Sequence, residues 1–449
     1  MAAVKTRNTA TLMTEGSIVK SLLLFALPLI FGNLLQQMYN TADSIIVGNF
    51  VGSNALAAVG SSGSPIYLLI GFSQGLAVGA GVVVSQYLGA GDHRETREAV
   101  HTALAIAVVM GLLLTVGGVA CGRALLVAMN TPAEVLADAV TYIRIYFGGV
   151  LFSVVYNMTA GILNAAGNSR RSLVYLAWAS VTNIVLDYLF IAVFRWGIGG
   201  AAVATGLGYS ITAIVGLLVF SNRNSLLHFV RPVCRPQTLG RAVTNGCSEM
   251  ATALVNGIIT LMFNWTMLKY VGEDGVAAIT IISYVLAFAG SLYAGYAYGV
   301  APMLSFYYGE QNHEKLRKLV RTSLKIIGAV AAATVLVSLA VTEPLVSIFA
   351  RPGTPVYDLA VAGNRICSLA LLFVGFNIFA SGMFTALSNG LISAVLAFSR
   401  TFVFTLIAML VLPVILGVTG IWLATPAAEL AAVVLSAVML LKYRRRYCY

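Results

Sequence analysis

Long apolar segments recur from one end of this 449-residue chain to the other, and no other feature restricts its fold as strongly. Many are about 20 residues long, which is enough for a helix to cross a hydrocarbon core of ~30 Å. In lipid, backbone N–H and C=O groups must be paired within the protein, which favours helices. We place twelve spans near residues 18–45, 55–87, 97–120, 134–157, 171–192, 198–220, 239–266, 276–303, 320–342, 356–383, 390–415 and 420–441. The first lacks the small-residue cleavage site of a signal peptide and leads directly into further spans, so we interpret it as a helix.

The composition agrees with this class. Hydrophobic residues make up 59% of the chain and charged residues only 10%, whereas about a quarter of the residues in a soluble domain are charged. We therefore expect an all-α polytopic membrane protein in contact with the lipid bilayer.

The net charge of +11 is distributed unevenly between the two sides of the membrane. With the N-terminus inside, most Lys and Arg fall in cytoplasmic segments, including Arg400, residues 315–325 and residues 442–446. The outer loops hold only Arg123, Arg195, Lys269 and Arg351. This asymmetry follows the positive-inside rule and predicts that both termini are cytoplasmic. The membrane topology thereby explains the positive net charge, and we do not expect nucleic acid as a partner.

Two similar halves follow one another along the chain. Gly89, His93 and Arg97 recur as Gly309, His313 and Arg317, an offset of 220 residues. Six is an even number of spans, so the two six-helix halves enter the membrane from the same side, as parallel repeats with a cavity expected between them. The predicted organisation is a cytosolic N-terminal tail (1–17), an N-lobe (18–220), a cytosolic linker (221–238), a C-lobe (239–441) and a basic cytosolic tail (442–449).

Polar side chains follow one face of the first span. Asn33, Gln36, Asn40 and Asp43 are spaced so that they share a face of a helix, and Tyr39 lies in the same stretch. A carboxylate at bilayer depth costs roughly 3 kcal/mol or more and usually faces a protein interior or a wet cavity. We therefore interpret Asp43 as part of a cation or proton site and the other four residues as substrate or cavity residues. Alternatively, Asp43 lies at the mouth of the helix and contacts interfacial water.

A second polar group lies in the fifth and sixth spans. Asn183 and Asp187 are four residues apart on one helix face, and Thr205 reaches a similar depth at 1.5 Å per residue. Together with Asp43 these side chains form a suitable oxygen cage for a hard cation such as Na⁺, or a proton site. At the same offsets the C-lobe has no acidic counterpart of Asp43 or Asp187. The alternative is a structural hydrogen bond between Asp187 and Asn183.

The C-lobe has weaker candidates. Glu249 and Asn256 share a face of the seventh span, and Glu429 lies in the twelfth. Either acid could bind a substrate cation or a proton, or be a structural carboxylate satisfied by neighbouring hydroxyls. The repeat-related Arg144 and Arg365 are expected to have structural roles.

Several chemistries have no motif in this sequence. There is no G-x-x-x-x-G-K-[ST] phosphate loop, so ATP does not drive the protein directly. Neither a nucleophile elbow nor a His-Glu metal motif occurs, and the five cysteines have no paired spacing. We expect no enzyme activity, no cofactor and no metal other than a possible Na⁺.

In several of these residues the chain resembles the multidrug and toxic compound extrusion (MATE) family, and the resemblance is strongest to the bacterial DinF-like and MepA-like branch. The resemblance rests on Pro28, residues 35–43, Val47-Gly48, residues 87–91, the Asn183 and Asp187 pair and the twice-six layout. It implies a V-shaped, two-lobed bundle in the bacterial cytoplasmic membrane that exports organic cations in exchange for Na⁺ or H⁺. The family's first-span aspartate matches Asp43, its fifth-span pair Asn183 and Asp187, and its sixth-span threonine Thr205.

Some alternatives stay open at this point. A second-lobe acidic site proposed for the NorM-like branch is not clearly reproduced, because Glu249 has no tenth-span aspartate partner. The same superfamily contains flippases for lipid-linked saccharides, which usually line the cavity with several basic residues. Of the arginines, we count only Arg144 and Arg365 as intramembrane. We expect a monomer; the substrate and the choice between Na⁺ and H⁺ are not determined by the sequence.

Overall fold

The computed structural model describes residues 18–129, 131, 133–221 and 236–449, and these residues form helices and turns without a strand. The expected N-terminal tail (1–17) and residues 222–235 of the expected linker lie outside the described residues.

Twelve of the described helices are long and apolar enough to cross a membrane. They are α1 (Ile18–Phe50), α2 (Ser53–Gly89), α3 (His93–Ala128), α4 (Ala133–Ala165), α5 (Ser169–Val193), α6 (Gly197–Ser221), α7 (Pro236–Tyr270), α8 (Glu273–Gly309), α9 (His313–Ala340), α10 (Pro355–Ala386), α11 (Gly390–Leu416) and α12 (Val418–Tyr447). A π-helical turn ends α5 (Tyr188–Val193), and another lies inside α11 (Ser399–Phe404). The predicted all-α membrane fold is confirmed.

Repeat-related residues begin equivalent helices in the two halves. The Asp92 carboxylate accepts hydrogen bonds from the backbone N–H groups of Arg94 (3.1 Å) and Glu95 (3.0 Å) at the start of α3. Asn312, the residue 220 positions later, accepts one from the N–H of Lys315 (3.1 Å) at the start of α9. Both are N-caps that satisfy otherwise unpaired donors of a first helical turn. The sequence repeat is therefore also a repeat of local structure.

The C-terminal segment differs from the expected tail, because α12 continues to Tyr447. Asn389 donates a hydrogen bond of 2.8 Å to the Tyr447 hydroxyl, and the Tyr449 hydroxyl donates one of 2.8 Å to the carbonyl of Leu440. Burial raises the pKa of the Tyr449 phenol, which stays neutral and acts as a donor. These contacts hold most of residues 442–449 in a helix packed on the C-lobe.

The N-lobe (α1–α6) and the C-lobe (α7–α12) meet through small residues of α2 and α7. A Cβ atom on Gly79 would overlap the backbone of Ala242, and one on Gly75 would lie 2.7 Å from the carbonyl oxygen of Gly246. Helices approach this closely only where the side chains are very small. The glycines of α2 are therefore required for the contact between the lobes.

The repeat-related glycines of α8 make the equivalent contact with α1. A Cβ atom on Gly299 would lie 2.5 Å from Cα of Ala26, and one on Gly295 would lie 2.7 Å from Cα of Ile30. The first half of α1 is accordingly buried in the core of the C-lobe. Two pseudo-symmetric crossings, α2 with α7 and α1 with α8, thus join the lobes.

A third symmetric contact closes one end of the bundle, which we call the terminal face because α1 begins and α12 ends there. A Cβ atom on Gly89 would overlap the carbonyl of Phe306, and one on Gly309 would overlap the carbonyl of Gln86. Both pairs are related by the offset of 220. The lobes are therefore in direct backbone contact at the terminal face.

Toward the opposite face the lobes separate. On α2 the stripe that carries Gly75 and Gly79 continues through Tyr67, which is 63% exposed, to Gly63, whose added Cβ would meet no described atom within 4 Å. On the facing helix α8, Tyr284 is 62% exposed and Phe288 54%. The cleft between the lobes opens at the face opposite to the termini, which gives the two-lobed bundle the expected V shape.

Candidate functional site

Two carboxylates lie close together inside the N-lobe. Asp187, at the end of the α-helical part of α5, is fully buried, and Asp43 of α1 is half-buried. The two groups interact electrostatically. Among the described residues, neither oxygen of the Asp187 carboxylate has a hydrogen-bond partner. Oδ1 of Asp43 has no partner there either. A buried carboxylate without a partner is costly, so this arrangement favours a bound proton or cation.

An amide and a hydroxyl complete the group. Asn183 and Thr205 are buried, and the Asn183 side chain donates a hydrogen bond of 3.2 Å to the Thr205 hydroxyl. The Asn183 carbonyl oxygen has no partner in the described part of the chain. The hydrogen bond between Asn183 and Asp187 that a purely structural pair requires is not formed, because the amide is directed to α6. The oxygen atoms of Asp43, Asn183, Asp187 and Thr205 are the groups that could hold Na⁺ here.

A π-helical turn begins directly after Asp187 (Tyr188–Val193). Such a turn inserts a residue into the helix and often marks a functional position. It changes the rotation of the helix beyond Asp187. The Asp187 side chain just before the turn is buried, whereas Tyr188, the first residue of the turn, is exposed.

Tyrosines surround this site, and the sequence analysis did not identify them except Tyr39. The hydroxyls of Tyr39 and Tyr209 lie 2.7 Å apart, and the Tyr209 ring packs 5.7 Å from that of Tyr156. Tyr142 of α4 interacts electrostatically with both aspartates. Tyr142 and Tyr146 are spaced i and i+4, which places both on one helix face. This spacing is the only signal in the sequence that could have indicated Tyr142 and Tyr146.

A cavity of about 160 Å³ lies between the two carboxylates and the terminal face. Asn33 and Gln36 line it, as expected, together with Gln74, Asn157 and Asn164, which were not predicted. Since a water molecule occupies about 30 Å³, the cavity has room for several waters or a small polar fragment. Its polar lining consists of amides and hydroxyls, so it is neutral.

The remaining candidates of the N-lobe and of α7 lie outside this cavity. Asn40 is half-buried on the face that carries Asp43. Asn256 is exposed in the second half of α7, where its carbonyl accepts a hydrogen bond from Thr260. The structure therefore does not bring Asn256 to the carboxylate pair.

The C-lobe acids are paired, and here the expectation for Arg400 was wrong. Arg400 was counted among the cytoplasmic residues, but it lies inside α11, and its Nε donates to Oε1 of Glu429 at 2.8 Å. The α11 span begins at Gly390, so Arg400 lies about 15 Å along it. Glu429 is thus held by a guanidinium and not by neighbouring hydroxyls. Glu249 accepts a hydrogen bond of 3.0 Å from Tyr298.

The two repeat-related arginines lie at the surface. Arg365 forms an ion pair of 2.7 Å with Glu343, and both side chains are exposed. Arg144 is exposed on α4. The ion pair of Arg365 agrees with the structural role expected of it, whereas the role of Arg144 stays a prediction.

The MatE family model matches residues 28–189 and 250–411, one segment in each lobe. Multidrug export protein MepA of Staphylococcus haemolyticus (strain JCSC1435) is 22% identical over 435 residues, which cover 96% of this chain and 95% of that protein. Probable multidrug resistance protein YpnP of Bacillus subtilis (strain 168) is 34% identical over 204 residues, 45% of this chain and 46% of that protein.

Solved structures show the same fold. One, the outward-facing conformation of a multidrug resistance MATE family transporter of the MOP superfamily, superimposes with a TM-score of 0.91 over 98% of each chain at 24% identity. Another, a MATE transporter in the bent conformation, gives a TM-score of 0.89 at 23% identity, over 99% of this chain and 100% of that one. Because the family model matches both six-helix halves and most of the chain, the protein belongs to the MatE family of membrane transporters.

Proposed function

We propose that the protein exports organic cations across the bacterial cytoplasmic membrane in exchange for inward Na⁺ or H⁺, with no other cofactor. The observation that carries this proposal is the buried Asp187 carboxylate, which has no hydrogen-bond partner among the described residues and lies beside Asp43. Burial of two such carboxylates costs considerable free energy. Acidic residues buried inside membrane proteins usually lie on ion or proton pathways.

The charge of this pair supports alternating access. With a proton or cation bound, the negative charge is reduced and the N-lobe favours one packing; with neither bound, the two carboxylates repel and favour another. The two glycine crossings, α2 with α7 and α1 with α8, are the contacts that must separate to open the terminal face. The site and both crossings belong to one chain, which supports a monomer as the working unit.

The distribution of basic residues supports a cytoplasmic terminal face. Exposed Arg and Lys at that face include Arg94, Arg170, Arg171, Arg317, Lys318, Lys442, Arg444, Arg445 and Arg446. By the positive-inside rule this face lies in the cytoplasm. The open cleft would then face the outside, which is the side of substrate release.

The walls of the cleft support an organic cation as substrate. Exposed aromatic rings of Tyr67, Tyr284 and Phe288 line its open part, and cations bind favourably over such rings. The name of MepA describes multidrug export by that relative. A lipid-linked saccharide is disfavoured, because the charge of Arg400 is compensated by Glu429 and Arg144 and Arg365 are exposed away from the carboxylate pair.

Transport by reconstituted vesicles tests the proposal. The purified protein is reconstituted with a fluorescent monocation, ethidium, under a Na⁺ gradient alone and under a proton gradient alone. We expect one of the gradients to drive ethidium uphill and protein-free vesicles to show no such movement. Absence of ethidium transport under both gradients would overturn the proposal.

A further inference from the structure

Several basic side chains lie together at the end of α12, at the terminal face. They are Lys442, Arg444, Arg445 and Arg446, and all are exposed. In the described part of the chain none of them forms an ion pair with an acidic side chain. No acidic residue follows Glu429 in the sequence, so this part of α12 has no acid of its own to compensate them. The end of the helix therefore carries a concentrated positive charge.

An apolar stripe on the surface of α12 leads directly to these charges. Its exposed side chains are Leu430, Val434, Val438 and Leu441. Lys442 follows Val438 by four residues. Arg445 follows Leu441 at the same spacing, so both basic side chains continue the stripe along one side of the helix. Lys442 is also the first residue after the span that we placed at 420–441, which is the depth where acyl chains end and head groups begin.

Aromatic contacts hold this end of α12 in place. The Tyr447 ring packs with its centroid 5.9 Å from that of Tyr308 on α8 and 6.4 Å from that of Phe384 on α10. Its hydroxyl accepts the hydrogen bond of 2.8 Å from Asn389 at the start of α11. A site whose backbone is already ordered loses less entropy on binding than a mobile tail does. The charges at the end of α12 are thus presented at a fixed position on the C-lobe.

We propose that the end of α12 is a binding site for an anionic phospholipid, whose phosphate contacts Lys442 and Arg445 and whose acyl chains lie along the apolar stripe. A guanidinium can donate two parallel hydrogen bonds to one phosphate group, and basic residues just outside a span attract anionic head groups. A phosphate without acyl chains would meet the same charges but would gain nothing from the stripe. The site goes beyond the proposed export and does not depend on it.

Native mass spectrometry of the purified full-length protein in detergent tests the proposal. The protein is titrated with dioleoyl phosphatidylglycerol and with dioleoyl phosphatidylcholine, which have the same acyl chains and differ in net charge. The first phosphatidylglycerol should bind about tenfold more tightly than the first phosphatidylcholine. Arg445→Gln should reduce this preference by about threefold or more, and Lys442→Gln/Arg445→Gln should reduce it to about twofold or less. Equal affinity of the unmodified protein for both lipids would overturn the proposal.

Arg94→Gln is the matched control, because it removes the same charge from the same face but at a residue that pairs with Glu98 of its own helix. It should leave the preference for phosphatidylglycerol within about twofold of its original value. Equal losses in Arg94→Gln and Arg445→Gln would mean that only the overall surface charge matters, which contradicts a site on α12.

The contribution of the apolar stripe is tested with glycerophosphoglycerol, which is the head group of phosphatidylglycerol without acyl chains. It should not bind at the concentrations at which the lipid binds, because most of the contact with the stripe is then missing. If glycerophosphoglycerol binds as tightly as phosphatidylglycerol, the charges recognise phosphate alone and the lipid site is refuted.

Discussion

Gln86 of α2 accepts a hydrogen bond of 2.6 Å from the guanidinium of Arg241 on α7, and this contact joins the two lobes at the terminal face. Ser388 donates to the same Gln86 oxygen at 2.9 Å, and the Gln86 amide donates to the carbonyl of Ala386 at 2.9 Å. We call Gln86, Arg241 and Ser388 the polar latch. It lies next to the backbone contacts of Gly89 and Gly309, so it stabilises the packing in which the terminal face is closed.

Arg241→Ala should shift the protein toward a conformation with the terminal face open. Hydrogen bonds that involve a charged group contribute about 1.5–3 kcal/mol, enough to change the ratio of the two conformations by tenfold or more. The distance between spin labels at positions 67 and 284 should become shorter in a larger share of molecules. Arg94→Ala is the control, because Arg94 pairs with Glu98 of its own helix. Identical distance distributions for both variants would exclude the latch.

Gly79→Ala should impair transport, because the added methyl group overlaps the backbone of Ala242. Overpacking of this kind typically costs about 1–3 kcal/mol, and backbone atoms cannot move aside as a flexible side chain can. Ethidium export should fall by about tenfold. Gly117→Ala is matched in chemistry, since an added Cβ there meets no described atom within 4 Å, and it should leave the export rate unchanged. Equal rates for the two variants would mean that the α2–α7 contact is not needed.

Asp187→Asn should abolish ion-coupled export while the protein stays folded in the membrane. The asparagine keeps the size of the side chain, but it cannot change its charge when a proton or cation binds. Thermal unfolding in detergent and gradient-driven ethidium export are measured on the same preparation. Asp138→Asn, which changes an exposed carboxylate of α4, serves as the control and should retain export. Full gradient dependence in Asp187→Asn would show that coupling occurs elsewhere.

The orientation in the membrane can be tested with single cysteines. Arg351, in the loop before α10, and Arg94, at the start of α3, are both exposed but lie at opposite faces. In intact cells a membrane-impermeant maleimide should label Arg351→Cys, and it should label Arg94→Cys only after permeabilisation. The reverse pattern would place the termini outside and contradict the positive-inside prediction.

Hydropathy and the internal repeat were sufficient to predict the twelve spans and the two halves. Both are properties of the local sequence: a span must be long and apolar, and repeated caps such as Asp92 and Asn312 begin equivalent helices. The polar site of the N-lobe could also be predicted, because Asn183 and Asp187 share a helix face at a spacing of four residues. Nothing in the spacing could show that the Asn183 amide bonds to Thr205 instead of Asp187, since that depends on how α5 and α6 pack.

Arg400 shows why the C-lobe was harder to predict. Its partner Glu429 lies 29 residues later on another helix, and no sequence periodicity connects them. We counted Arg400 as cytoplasmic although it falls within the predicted span 390–415, because an isolated buried guanidinium is unfavourable. The pair becomes acceptable only when α11 and α12 bring the two charges together. The same limitation applies to Tyr142, whose proximity to both aspartates follows from the packing of α4.

The electrostatic interaction of Asp43 with Asp187 leads to a prediction about how the two residues share one ion. If one proton or cation is stabilised by both carboxylates, removal of either acid should cost most of what removal of both costs. Independent sites would instead give losses that add. The two possibilities therefore differ in a quantity that can be measured on the transport rate alone.

A double-mutant cycle of Asp43→Asn and Asp187→Asn decides between them. We expect each single variant to reduce gradient-driven ethidium export nearly as much as the double variant, which corresponds to a coupling energy of about 1 kcal/mol or more. Asp138→Asn combined with Asp187→Asn is the matched cycle and should be additive, because Asp138 is exposed on α4. If the Asp43–Asp187 cycle is additive as well, the two carboxylates bind separately. A single shared ion could then not neutralise the N-lobe, and another group would have to control its packing.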